Sequence, residues 1–107
     1  MPERCSWCGV DVEDDDGFRA YEPIGERRAV FCRLEHLIPW EIQGPMWEAG
    51  KLEEPGLDHE ATCSHCGGEL TDIHVLLVRR RGEHRIADAF CNADHMASWA
   101  KAGGRFG

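Results

Sequence analysis

A chain of 107 residues makes one domain or two very small ones, and its formal charge of −8 argues against a general nucleic-acid binder, whose footprint is usually basic. With 42% hydrophobic and 30% charged residues, the composition fits a folded chain rather than a disordered one. No stretch approaches the roughly 18 apolar residues of a membrane span, and the start Met1-Pro-Glu-Arg-Cys is polar; no membrane partner is expected, and the cytoplasm, where thiols stay reduced, is the expected address.

In chain order, Cys5-Ser-Trp-Cys8-Gly9 reads as a tight turn, and Asp11 to Asp16 as a run of negative charge. A hairpin is expected over Phe18–Glu22 and Arg28–Phe31, then a helix opening at Cys32 that must kink or restart at Pro39, whose ring crowds the carbonyl of Glu35. Residues 43–57 mix Gly, Pro and acids without a period and read as a linker, with Met46, Trp47 and Leu52 holding it against one half. A second turn, Cys63-Ser-His-Cys66-Gly67, precedes a second hairpin over Asp72–Arg79 and Arg85–Phe90. There Val75, Leu76, Leu77 and Val78 make a strand apolar on both faces. A helix over Asn92–Lys101 then stops at Gly103-Gly104.

These elements are one unit written twice. Cys5, Cys8, Cys32, His36 and Trp40 match Cys63, Cys66, Cys91, His95 and Trp99 at offsets of 58 or 59, and every one of the six cysteines is used. The shared ending reads F-C-x-x-x-H-x-x-x-W. The expected organisation is a first repeat over 1–44, a linker over 45–57 and a second repeat over 58–107.

The spacing has a chemical reason. A tetrahedral zinc ion takes four sulfur or nitrogen donors, and two cysteines two residues apart on a turn aim at one point. A cysteine and a histidine four apart on a helix share a face, and the longer imidazole reaches back toward the helix start. The expected ligands are Cys5, Cys8, Cys32 and His36 for one Zn²⁺ ion, and Cys63, Cys66, Cys91 and His95 for a second. Cys32 and Cys91 are expected at helix N-caps, where free backbone N–H groups and the helix dipole favour a thiolate. Glu35 and Asp94 stand where a capping box places its acid, and Trp40 and Trp99 extend the same helix face beside the ions.

Other uses of these residues fit less well. Disulfides suit neither a reducing compartment nor the paired histidines, and a redox C-x-x-C would want a single copy in a strand–helix setting. His65 has Trp7 as its counterpart, so it is not needed as a ligand; His59, His74 and His84 have no counterpart histidines and read as surface residues.

Turn, hairpin and ligand-bearing helix together resemble a treble-clef zinc finger, and the F-C-x-x-x-H ending is similar to TRASH, YHS and FCS-type fingers. In those the last ligand is usually Cys, a place that His36 and His95 take here. The resemblance implies a small, metal-stabilised α+β fold of two tandem treble-clef-like repeats, with Cys32/His36 and Cys91/His95 as the helix ligand pairs. It also brings in metal sensing and trafficking, to which TRASH-like fingers are linked.

Cys₃His leaves no vacant coordination position, and no catalytic constellation stands elsewhere, so a non-enzymatic module that binds another protein is expected. Nucleic acid is the alternative partner, through Arg79-Arg80-Arg81 with His84 and Arg85, against the overall acidity. Trp7 and Trp47 are the candidate exposed contacts, core packing being the better expectation for Trp47. Three thiolates around each Zn²⁺ add about −1 per site, making the loaded chain about −10.

Overall fold

The repeat is visible in the architecture of the computed structural model, which describes residues 3–50 and 61–104. Strands β1 (Glu3–Arg4) and β2 (Asp11–Val12) pair around the first cysteine turn. Strands β3 (Phe18–Glu22) and β4 (Arg27–Phe31) form the first hairpin, followed by a 3-10 turn at Leu34–His36 and helix α1 (Leu37–Ile42). After β5 (Glu48–Ala49), strands β6 (Val75–Arg81) and β7 (His84–Phe90) form the second hairpin, and α2 (Ala93–Lys101) is the last element among the described residues. The second hairpin thus starts three residues later than the alternation suggested and runs to Arg81.

The two hairpins do not stand apart. β3 pairs antiparallel with β6, giving one five-stranded sheet in the order β5-β4-β3-β6-β7. The pairing respects the repeat: Phe31 and Phe90 are matching residues, and they lie opposite Phe18 and Val75, so Ala20 matches Leu77. Ala20 is also the register partner of Leu77. A local two-fold axis therefore passes through the middle of the sheet. A Cα radius of gyration of 12.5 Å agrees with the roughly 13 Å of a single packed domain of about 100 residues.

The period-2 geometry of the strands splits the apolar residues between two faces. Val75 and Leu77 join Ala20, Ala29, Phe31 and Phe90 under the helices, with Leu37, Trp40, Met96 and Ala100 above them. Leu76 and Val78 point the other way and bury against Tyr21 and Ala89, so the strand is covered on both sides as its composition requires. Each motif phenylalanine carries its own tryptophan edge-on, Phe31 with Trp40 at 5.1 Å between ring centroids and Phe90 with Trp99 at 5.2 Å. That packing is why the pattern repeats F and W as well as C and H.

Two arginines fasten the acidic segment. Arg19 is wholly buried and donates to the carbonyls of Glu13 (3.0 Å) and Asp16 (2.8 Å), with Glu3 beside its Nε at 3.4 Å. Arg80 donates to the carbonyl of Asp14 at 3.0 Å and to the hydroxyl of Tyr21 at 3.2 Å. Backbone bonds from Arg80 to Gly17 and from Gly82 to Asp15 complete the clasp between the halves. The run of acids is exposed at its side chains but occupied at its carbonyls, and Arg80, 6% exposed, is no part of a free basic tip.

The segment expected as a linker also has structure at its start. β5 pairs with β4, Ala49 opposite Arg27 and Glu48 opposite Arg28. Trp47 stands edge-on to Trp40 at 5.0 Å, with the Arg27 guanidinium over its ring at 5.9 Å. Leu52 and His59 lie outside the described residues.

Candidate metal centres

Each cysteine turn is built the same way. The amide of Cys5 donates to the carbonyl of Val10 and that of Gly9 to Cys5; in the second half Cys63 donates to Gly68 and Gly67 to Cys63. Gly9 and Gly67 take φ of +79° and +76°, a left-handed turn that only glycine adopts without strain. The serine between the cysteines clips the turn to the sheet: the Ser6 amide donates to the carbonyl of Val30 at 2.6 Å, that of Ser64 to Ala89 at 2.8 Å. Both halves write C-S-x-C-G, and the matched serine was the signal for this clip.

The eight sequence-predicted residues gather into two groups of four. Among the described residues, Cys5, Cys8, Cys32 and His36 form one and Cys63, Cys66, Cys91 and His95 the other, with the ligand atoms of each within 4.8 Å of one another. In the first group the His36 Nδ1 lies 3.3 Å from the Cys32 sulfur and 3.6 Å from that of Cys5, and Cys8 and Cys32 are 3.6 Å apart. In the second, Cys63 to His95 Nδ1 is 3.6 Å and Cys66 to Cys91 is 3.7 Å. Donors held at 2.0–2.3 Å around a tetrahedral ion stand about 3.3–3.8 Å from each other. Disulfide sulfurs stand about 2.05 Å apart, and all six cysteines are free thiols. The donor sets therefore fit two metal ions.

Protonation within each cluster follows from crowding. Burial raises Cys5, yet the backbone N–H groups of Cys8 and Cys32 and the His36 ring overcome it and bring the thiol to about 6. The same balance puts Cys63 at about 6. Burial, then the Cys8 and Cys5 sulfurs, push Cys32 up to about 11; hydrogen bonding with Cys66, then burial, does the same for Cys91. One sulfur per cluster holds negative charge easily, and a second resists it until a cation arrives.

The helix starts differ from expectation. Cys32 and Cys91 precede the N-caps rather than forming them. Asn92 caps α2, its side chain accepting from the His95 amide at 2.9 Å, while the Arg33 cap of the 3-10 turn has no side-chain acceptor. Asn competes better for this role than a thiol, and it stood beside Cys91 in plain view. Neither acid acts in a capping box with its cysteine. Glu35 is exposed, and Asp94 hydrogen-bonds Glu41 of α1, lifting Glu41 to about 7.

The remaining histidines separate. His65 is exposed, its ring 5.1 Å from that of His95, and His84 is exposed at the hairpin turn. His74 is half-buried, its Nδ1 2.9 Å from the carbonyl of Thr71, so it is not a free surface residue. Trp7 is 38% exposed beside the first cluster, and Trp47 packs inward.

No protein-family model, curated protein or solved structure matches the chain. Among the described residues, no helix is long and apolar enough to cross a membrane.

Proposed function

We propose that the chain is a zinc-stabilised protein-interaction module of two treble-clef-like repeats, with both ions structural. The observation that carries this reading is the spacing of the donor atoms, which matches a tetrahedral ion in both halves. Zinc is the metal that the chemistry favours: three soft thiolates and one imidazole in tetrahedral array suit it, whereas magnesium and calcium take oxygen. Turn, hairpin and helix recur in treble-clef order in each half, which supports that fold name. Four protein donors close each coordination sphere, which favours scaffolding over catalysis and a cytoplasmic, reducing setting over an oxidising one.

Native mass spectrometry of the protein purified without added metal tests the reading. Two zinc ions per chain are expected, and chelation is expected to abolish the folded circular dichroism spectrum. Folded, reduced protein carrying no metal would refute it.

Nucleic-acid binding is a second reading with an observation of its own. Arg33, Arg79, Arg80 and Arg81 line one hollow beside Cys32. Because Arg80 is built into the clasp, its charge reversal tests folding rather than contact. Arg81→Glu is the informative change: a salt-dependent shift of short RNA that it weakens supports this reading. Metal handling, the third, is favoured by the exposure of Cys8 and Cys66, and fast exchange with a colorimetric zinc chelator would support it.

A further inference from the structure

Donor atoms, burial and turn geometry repeat so closely between the two centres that the one residue exchanged between their ligands stands out. In both, the first turn cysteine is buried, the second is exposed and the later Cys–His pair is half-buried. Between the turn cysteines the halves differ: Trp7 holds the place in the first and His65 in the second, both exposed. An indole has only an N–H to donate, whereas a neutral imidazole carries a lone pair that binds metal.

His65 also stands at the right range. Imidazole nitrogens bind zinc at about 2.0–2.1 Å, so two rings on one tetrahedral ion have their centres about 5.2 Å apart. The His65 and His95 rings are 5.1 Å apart and tilted by 59°. Yet His65 lies outside the group of four whose ligand atoms are within 4.8 Å of one another. Its ring is beside the centre rather than in it, and an exposed side chain changes rotamer within nanoseconds.

The sulfur that gives way is marked too. Cys66 is exposed and accepts the Gly68 amide at 3.4 Å. An N–H bonded to a thiolate shares its charge, which loosens the sulfur's hold on a cation and stabilises the sulfur once released. Cys66 follows His65 directly, so the donor that retreats and the donor that advances belong to the same turn.

We infer that His65 is the loading ligand of the second centre: zinc enters on His65 with Cys63, Cys91 and His95, and Cys66 then takes the place of the His65 imidazole. One metal–nitrogen bond breaks as one metal–sulfur bond forms, the Cys66 thiol proton goes to solvent, and no electron changes hands. Departure runs the same steps backward, with four protein donors at each stage. This rests on the zinc reading of the second centre and leaves the ion structural; it names the residue through which that ion arrives. Trp7 gives the first centre no such route.

Cadmium, softer than zinc and drawn to thiolates, tests this by displacing zinc from the full-length, two-zinc protein, while amide spectra follow each turn separately through Gly9 and Gly67. The Gly67 signal is expected to change at least about tenfold faster than that of Gly9. His65→Phe keeps a ring without a donor. It is expected to bring the Gly67 rate down to that of Gly9 while leaving zinc affinity, read by chelator competition, at its wild-type value. Trp7→His is expected to raise the Gly9 rate toward that of Gly67; should either variant lose its fold, the other carries the result. Equal rates in the wild type, a Gly67 rate indifferent to His65→Phe, or a Gly9 rate indifferent to Trp7→His would each overturn the inference. So would an affinity that falls in His65→Phe, because a resident ligand or a packing role moves the equilibrium and a loading ligand does not. Two tightly held zinc ions exchanging at one rate would sink this inference alone; folded protein without zinc would sink the reading beneath it.

Discussion

Replacing Cys91 by serine removes one sulfur from the second cluster, and the shared sheet determines how far the damage spreads. A structural zinc site contributes about 10–16 kcal/mol of apparent binding energy, comparable with or above the roughly 5–15 kcal/mol that holds a whole domain folded. Were the halves independent, only the second would unfold. Here β3 and β6 pair over four residues, Ala20 and Leu77 bury each other at the centre, and Arg80 anchors Asp14 of the first half. Unfolding β6 strips β3 of one neighbour and opens both apolar faces of the sheet. Cys91→Ser is therefore expected to abolish exchange protection of the Val30 amide in β4 as well as of Ala89 in β7, and to leave the chain with less than one bound zinc. Hydrogen exchange read residue by residue, beside metal stoichiometry, checks this. A variant that keeps β3–β4 protected, with one zinc on Cys5, Cys8, Cys32 and His36, would refute the cooperative sheet.

Three further outcomes follow from the same packing and charges. Trp47→Ala is expected to cost about 2–4 kcal/mol in denaturant melts, because it empties the space against Trp40 and uncovers β5; a cost below about 0.5 would mean that the indole stacks without stabilising. Between pH 6 and 11 a metal entering either cluster must displace at least the proton of Cys32 or Cys91, so apparent zinc affinity is expected to rise at least about tenfold per pH unit per site in chelator competition at pH 6.5, 7.5 and 8.5; a flat profile would contradict the assigned protonation. Glu41, raised from 4.5 to about 7 by its bond with Asp94, stabilises the fold while protonated, a contribution complete below about 4.5 and lost as pH rises through about 7. The pH dependence of stability from 6 to 8 should therefore change in Glu41→Gln relative to wild type, and identical profiles would discard the pair.

Much of the site was legible because metal chemistry imposes hard spacing. Two residues between the turn cysteines and three between Cys32 and His36 leave little freedom, and duplication made chance coincidence implausible. What escaped depends on distant partners. Nothing near Arg80 announced that Asp14 and Tyr21 would claim it, and an arginine triplet reads the same in sequence whether its middle member is buried or bare. β5 is two residues long and stands among Gly and Pro, so no periodicity marks it; Trp47, expected to pack inward, is the residue that ties it to Trp40. Asn92 is a good cap residue by type, and it caps α2 one residue after the cysteine that the metal spacing places at the helix start. Lengthening β6 to Arg81 required knowing that Gly82 and Glu83 make the turn alone.

The central pairing of Ala20 with Leu77 has an evolutionary corollary. Equivalent strands that meet antiparallel about a two-fold axis are arranged as the subunits of a symmetric homodimer are. A gene encoding a single unit of this kind would already yield a complete, two-metal particle by self-association. Tandem fusion then frees each copy to diverge, and Trp7 standing where the second half has His65 is one place where that divergence is recorded.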